Sequence, residues 1–332
     1  MEYINLGDLK VSRLGFGCDA LGGHAWGPSD PREMAKAIEL AADLGVTLFD
    51  TADCYGKGLS EIRLARALGA RRKDVAIATK FGVRLDRAGV AFRDNSAAWF
   101  ESALVASLRR LHTDYIDLYQ VHYWDGRTPW AEIFSRLERK RETGVIRSYG
   151  VSNELITAEA LPIRPAGFVS CSFEFSFANR QNQDRIESMR NQWDVGFLSW
   201  GSLGQGVLGG KYAGTATLSD GDRRRRPTYV NFHGDRLKQN LRLVEGIRDL
   251  ALGYPAATPA QVSIRWILSH FDFSVALVGA KSRRQARENA EAVDLRLNEG
   301  DMAALDQLSS RGEWPGSEAS GGSAVCDARS TL

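Results

Sequence analysis

The chain of 332 residues contains no apolar run approaching the ~20 residues of a membrane span. Its start, Met1-Glu2-Tyr3-Ile4-Asn5, has no basic stretch leading into an apolar one, so no secretory leader is read there and a cytoplasmic location is expected. Charge of one sign is also lacking. Lys and Arg number 43 against 41 Asp and Glu, a formal balance of +2, which gives no electrostatic case for nucleic acid or a membrane surface. Cysteine is scarce. Cys18, Cys54, Cys171 and Cys326 show no CxxC or other metal-like spacing, so no metal is expected, and three of them border apolar runs as reduced buried thiols would. Finally, Gly15-Phe16-Gly17-Cys18-Asp19-Ala20 lacks the third glycine of GxGxxG, which weighs against an open, doubly wound dinucleotide-binding sheet.

What is present alternates between two periods. Short apolar, often β-branched runs recur at 14–17, 46–49, 75–79, 116–121, 145–151, 168–171, 196–200 and 275–278. Helical patterns lie mainly between them. In the first, Ser29 or Asp30 can cap, Pro31 suits the first turn, and Met34, Ile38, Ala41 and Leu44 make one apolar stripe before Gly45 ends it. Others fall near 60–69, 97–111, 130–143, 181–193, 236–252 and 259–269. Eight strands separated by helices predict an α/β fold with a parallel sheet, and eight such units close into a (β/α)₈ TIM barrel. Gly7-Asp8 between Tyr3–Leu6 and Lys10–Ser12 predicts an N-terminal β-hairpin, and extra helices are expected at the C-terminal end. One catalytic domain over 1–310 is expected, followed by a flexible Gly/Ser/Ala-rich tail over 311–332. A polar stretch without periodicity between Gly209 and His233 carries Arg223 to Arg226, read as a solvated loop more readily than a phosphate clamp.

In such a barrel, catalytic groups sit at the C-terminal ends of strands. The second strand ends in Phe49-Asp50 with Tyr55 just beyond, the third in Thr79-Lys80, the fourth in Val121-His122. The four suit one another chemically. A phenol with a pKa near ~10 is a weak acid; a neighbouring ammonium lowers that pKa, a carboxylate holds the ammonium, and an imidazole orients a carbonyl. Singly, each has a plainer reading: Asp50 and Lys80 a structural ion pair, Tyr55 an amphipathic surface residue, His122 a satisfied interior histidine. Ser152-Asn153 alone would be a helix cap, Trp200 alone a core residue.

Phe49-Asp50-Thr51-Ala52-Asp53-Cys54-Tyr55-Gly56 with Ser60-Glu61, then Thr79-Lys80, Tyr115-Ile116-Asp117-Leu118 leading to His122, Gly150-Val151-Ser152-Asn153, Gly279-Ala280 and Glu288-Asn289 resemble the aldo-keto reductase family, in order and spacing, over about residues 3–308. The resemblance implies NADPH-dependent reduction of an aldehyde or ketone. Tyr55 would be the general acid, Lys80 its modulator, Asp50 the partner of Lys80 and His122 the substrate orienter. It also implies that Ser152, Asn153 and Ser172, standing where the family has Gln, bind the nicotinamide carboxamide, and that Trp200 stacks on the ring. Gly201, Ser202, Leu203, Gln205 and Gly206 would approach the pyrophosphate. Gly279, Lys281, Arg283, Gln285, Glu288 and Asn289 would hold the adenosine end, with Lys281 and Arg283 as expected 2′-phosphate contacts and Gln285 where the family places an arginine. His24, Trp26, Phe92 and Trp124 flank strand ends and are candidate substrate contacts for a small carbonyl compound or sugar. A sugar or secondary-metabolite dehydrogenase, an enoyl reductase, or a cofactor-binding regulatory subunit with little turnover are the alternatives.

Overall fold

A computed structural model describes residues 1–310 except 24, 87, 213–217 and 256; the predicted tail at 311–332 lies outside them. Eight parallel strands close into a barrel. They are β1 (Leu14–Gly17), β2 (Leu48–Asp50), β3 (Ala76–Phe81), β4 (Ile116–Val121), β5 (Ile146–Ser152), β6 (Phe168–Glu174), β7 (Gly196–Trp200) and β8 (Ser274–Val278), each paired with its neighbours and β8 with β1. Among the described residues the helices are α1 (Pro31–Asp43), α2 (Leu59–Leu68), α3 (Ala97–Leu111), α4 (Trp130–Glu142), α5 (Gln183–Trp193), α6 (Gly234–Ala251), α7 (Pro259–His270), α8 (Arg283–Glu291) and α9 (Glu299–Ser310).

The local chemistry explains these elements. Asp30 caps α1, its carboxylate accepting from the Arg32 N–H at 2.8 Å, and Pro31 takes the first turn. Thr258 and Gln261 form a reciprocal capping box on α7. Between β5 and β6 there is no helix; Pro162 and Pro165 within five residues remove donors and obstruct the preceding turn. The predicted hairpin pairs Tyr3–Leu6 with Leu9–Ser12 and closes the barrel floor. Its Leu6 and Val11 pack with Leu48, Ala76, Leu118, Val169, Leu198 and Val275. A Cβ at Gly196 would collide with the Leu6 side chain, so any larger residue where the plug meets β7 would push Leu6 out of place. The larger apolar cluster lies between barrel and helices. With the floor sealed, the open end is the C-terminal one, where Asp50, Lys80, His122, Ser152 and Trp200 all arrive.

Candidate active site

Asp50 ends β2 and Lys80 stands one residue before the end of β3, and the strands run side by side. The Lys80 Nζ donates to both Asp50 oxygens at 2.7 Å and to the Thr51 carbonyl at 2.9 Å. Both side chains are buried. Tyr55 follows β2 in a tight turn, its N–H donating to the Ala52 carbonyl at 3.2 Å. Its ring lies 5.4 Å from the Lys80 Nζ and meets the His122 ring edge-on at 5.9 Å. His122 leaves β4, donates its backbone N–H to the Phe81 carbonyl at 2.7 Å, and stacks on Tyr123. The four residues read as a set in the sequence therefore meet at one point.

Electrostatics refines their roles. Burial, then Lys80, pushes the His122 imidazole well below its ordinary range, so the ring is neutral at pH 7 and keeps one N–H to offer. Burial, then Asp50 and Asp19, pushes the Tyr55 phenol well up, while Arg223 pulls it down. This differs from the expectation of a phenol acidified by Lys80. The ammonium is held by two carboxylate oxygens and a carbonyl, so at Tyr55 the charge of Asp50 outweighs that of Lys80.

Asn153 follows β5 in the left-handed conformation (φ 66°). Its amide donates to the His122 carbonyl at 3.3 Å and to the Ser152 Oγ at 3.0 Å, and it accepts from the Trp200 indole N–H at 3.1 Å. Histidine, amide and indole are thus joined in one chain. The Ser172 hydroxyl donates to the Leu198 carbonyl at 3.0 Å, and Ser202 donates to the Ser199 and Leu277 carbonyls at 2.8 and 3.0 Å. Both hydroxyl protons are therefore engaged with the barrel rim. Gly201, Gly204, Gln205 and Gly206 all have positive φ. Leu203 turns this loop, accepting from the Gly206 and Leu208 N–H groups at 2.9 and 3.1 Å. Gln205 adopts φ 54° because its side chain is gripped by Glu174 at 2.8 Å and Asn231 at 2.7 Å.

After β8, a Cβ on Gly279 would lie 3.1 Å from the Gly17 carbonyl oxygen, and Asn289 donates to the Gly279 carbonyl at 3.4 Å. Gln285 accepts the Lys281 N–H at 2.8 Å, and Glu288 pairs with Arg284 at 3.2 Å. A cavity of about 740 Å³ opens here, lined by Trp26, Lys211, Asp222, Arg224, Lys281 and Gln285 among others. Arg283 is exposed on α8 and is not among the lining residues. The Arg223–Arg226 stretch is not a solvated loop as read: Arg223 and Arg224 are 7% and 5% exposed, paired with Asp19 and Asp222.

Of the predicted substrate contacts, Trp26 reaches the cavity. Trp124 stacks on Trp130 and donates its indole N–H to the Thr128 carbonyl at 2.7 Å. Phe92 is exposed on an antiparallel ribbon (Val83–Leu85 with Ala91–Arg93), beside Arg84. His24 lies outside the described residues. Cys18 and Cys171 are free and buried as read, whereas Cys54 is disulfide-bonded, against its reading as a reduced core thiol. Its sulfur lies 3.6 Å from the His122 Nδ1. Sequence reasoning passed over Asp19 and Lys211, which carry no periodic signal, and read Arg224 within a solvated loop rather than a phosphate clamp.

The aldo/keto reductase family model matches residues 13–310. The chain belongs to the aldo/keto reductase family. It is 31% identical to the NADP(+) aldo-keto reductase yakc of Schizosaccharomyces pombe, over 93% of this chain and 91% of that one. Among solved structures it resembles a glycerol dehydrogenase from Gluconobacter oxydans (TM-score 0.82, 28% identity, 96% and 99% of the two chains). It also resembles an aldo/keto reductase from Klebsiella pneumoniae in complex with NADP and acetate (TM-score 0.70, 25% identity, 92% and 95%). No described helix is long and apolar enough to cross a membrane.

Proposed function

We propose that the protein is an NADPH-dependent reductase of small aldehydes or ketones acting in the cytoplasm, with Tyr55 as proton donor. The observation that carries this is the meeting of Tyr55, His122 and the buried Lys80–Asp50 pair at the barrel mouth. The cavity fits the cofactor. Lys211, Arg224 and Lys281 face it with Asp222 as the one carboxylate among the described lining residues, so it is cationic there and favours phosphate groups. Within the positive-φ loop over Gly201–Gly206, Gly206 leaves space on the surface: a Cβ there would first meet the Arg224 guanidinium at 3.4 Å. Asn153 and Trp200 would hold the nicotinamide, and Lys281, Arg224 and Lys211 the phosphates. When bound, the reduced nicotinamide supplies a hydride to the carbonyl carbon. The protein's own part is to orient and protonate. His122, neutral, donates a hydrogen bond to the carbonyl oxygen, and Tyr55, kept as the phenol through neutral pH, gives that oxygen its proton. Lys80, anchored on Asp50, offsets the carboxylate that Tyr55 would otherwise face as it gives up its proton.

The reading is tested by adding NADPH and an activated aldehyde and following cofactor oxidation; no aldehyde-dependent oxidation would reject it. Cofactor choice gives a further prediction. Each charge-assisted contact to the 2′-phosphate contributes about 1.5–3 kcal/mol, so NADPH should bind at least about tenfold tighter than NADH at low salt, and the gap should narrow as salt rises. The Lys281 ammonium is pushed down to about 8 by burial, then by Arg224 and Lys211. It is charged below that pH and neutral above it, so NADPH affinity should weaken as pH rises through 8 while NADH affinity changes less. Fluorescence titration with both cofactors on either side of that pH checks this. Equal affinities at low salt and neutral pH contradict it.

A further inference from the structure

The mechanism above makes no use of the residue just before the proton donor. Cys54 stands in the tight turn after β2, where the Asp53 N–H donates to the Lys80 carbonyl at 3.4 Å and the Tyr55 N–H to the Ala52 carbonyl at 3.2 Å. Its sulfur lies 3.6 Å from the His122 Nδ1. An Asp53 carboxyl oxygen, the Cys54 sulfur and a His122 ring nitrogen all lie within 4.8 Å of one another. One oxygen of that carboxyl is buried with no hydrogen-bond partner. The chain has four cysteines. Cys18 and Cys171 are buried and free, whereas Cys54 is only partly buried and is disulfide-bonded. Cys326, outside the described residues, is the one cysteine left in the chain to pair with it.

The oxidation state of that sulfur decides what it can offer the imidazole. With Nδ1 turned to Cys54, Nε2 is the nitrogen left for the substrate carbonyl. Burial, then Lys80, keeps the ring neutral, so it carries a single proton, and the bond made at one nitrogen sets where that proton sits. A thiol donates its S–H to Nδ1. The ring proton then stays on Nε2, where it can donate to the carbonyl. A disulfide sulfur has no proton and can only accept. The sulfur and the Asp53 carboxyl then both draw the ring proton to Nδ1, and Nε2 loses the hydrogen that orients the carbonyl. Disulfides that form in a reducing cytoplasm, the location proposed above, are usually redox-sensing or catalytic.

We propose that Cys54 is a redox-modification site that switches this enzyme: bridged to Cys326 it leaves His122 in the unproductive tautomer, and reduction to two thiols restores the productive one. This rests on the carbonyl-reductase reading above. A peroxide accepts the electrons in the off direction. The Cys54 thiolate attacks one peroxide oxygen, and the O–O bond breaks with loss of hydroxide. The Cys326 thiolate then displaces a second hydroxide from the sulfenic sulfur and closes the S–S bond. With the two thiol protons, these leave as two waters. A dithiol reverses the change, its own sulfurs closing into a ring as they return two electrons and two protons. Full loss of a donor aimed at the reacting oxygen costs about 10²–10³ in kcat, and an incomplete shift of tautomer costs less, about tenfold.

The test compares the full chain reduced with dithiothreitol and oxidised with diamide, an azo reagent that takes two electrons and two protons from a thiol pair, each freed of reagent before assay. Peptide mapping of the oxidised protein should recover Cys54 joined to Cys326. With NADPH and an activated aldehyde, kcat should be about tenfold lower in the oxidised form at unchanged NADPH affinity, and dithiothreitol should restore it. Cys326→Ser should keep the reduced rate with or without diamide. Cys54→Ala should be slow in both states, and Cys54→Ser, whose hydroxyl can donate to Nδ1, should recover part of that loss. Nitrogen chemical shifts of the His122 ring should report Nε2–H in the reduced protein and Nδ1–H in the oxidised one. Equal kcat in the two states, a Cys54 bridge between two copies, no bridge at all, or a Cys326→Ser variant that diamide still slows overturns the switch and leaves the reductase reading intact. No aldehyde-dependent oxidation of NADPH in either state overturns the reductase reading and this switch with it.

Discussion

Tyr55→Phe should keep the fold and NADPH affinity while losing about 10²–10⁴ in kcat, the range general acid catalysis contributes. The fold should survive because the Tyr55 ring is packed edge-on against His122 and beside Lys80, and phenylalanine preserves both contacts. Its hydroxyl is the one group removed. No other residue takes over the proton readily. His122, pushed well down by burial and Lys80, is neutral and a poor acid at pH 7. Lys80 is tied to Asp50 and to the Thr51 carbonyl. Steady-state kinetics alongside cofactor titration checks this. More than half of wild-type activity at neutral pH would mean another group supplies the proton.

Lys80→Met should cost both activity and stability. The Lys80 and Asp50 side chains are 3% and 7% exposed. Removing the ammonium strands a buried carboxylate, which typically costs about 3–5 kcal/mol. Tyr55 would then face Asp50 unscreened, and Asp50 already pushes the phenol up. A further rise in its pKa makes it a weaker acid, about tenfold in equilibrium for each unit. Lys80 therefore cancels Asp50 as much as it acts on Tyr55 directly. Consequently Lys80→Met with Asp50→Asn should recover stability and part of the activity lost by Lys80→Met alone. Denaturant unfolding and kcat of both variants check it. If the double variant is no more stable and no more active than Lys80→Met, the cancellation account is wrong. Losses from Lys80→Met and Tyr55→Phe should not add, since the two act on one proton.

How much of this was legible in the sequence depends on how local the signal is. The barrel was, because eight short apolar runs recur with helical segments mainly between them and helix ends carry their own caps, as Asp30 and Thr258 show. The four catalytic candidates were, because strand ends fix their height: Asp50 and Lys80 close adjacent strands and need no long-range information to meet. The missing helix between β5 and β6 has a local signal, Pro162 and Pro165, which the reading of the sequence did not use. Asp19 and Arg223 were not, because 204 residues separate the partners and neither lies in a periodic segment. Arg224 likewise reads as one of four consecutive arginines until Asp222 and the Gln205 carbonyl are seen to hold it over the glycine loop. Ser172 and Ser202 show the opposite limit. Their hydroxyl protons go to rim carbonyls across the sheet, which residue type alone does not reveal.

The most direct measurement is a single turnover. Enzyme loaded with NADPH is mixed with an activated aldehyde, and the loss of reduced-cofactor absorbance is followed in H₂O and D₂O for the wild type and Tyr55→Phe. Aldehyde-dependent oxidation is expected in the wild type, slowed in D₂O because the phenolic proton moves. In Tyr55→Phe the rate should be at least about 10² lower with unchanged NADPH affinity. NADPH bound tightly by a wild-type protein that oxidises none of it across aldehydes and ketones would contradict the assignment of this barrel mouth as a carbonyl-reducing site.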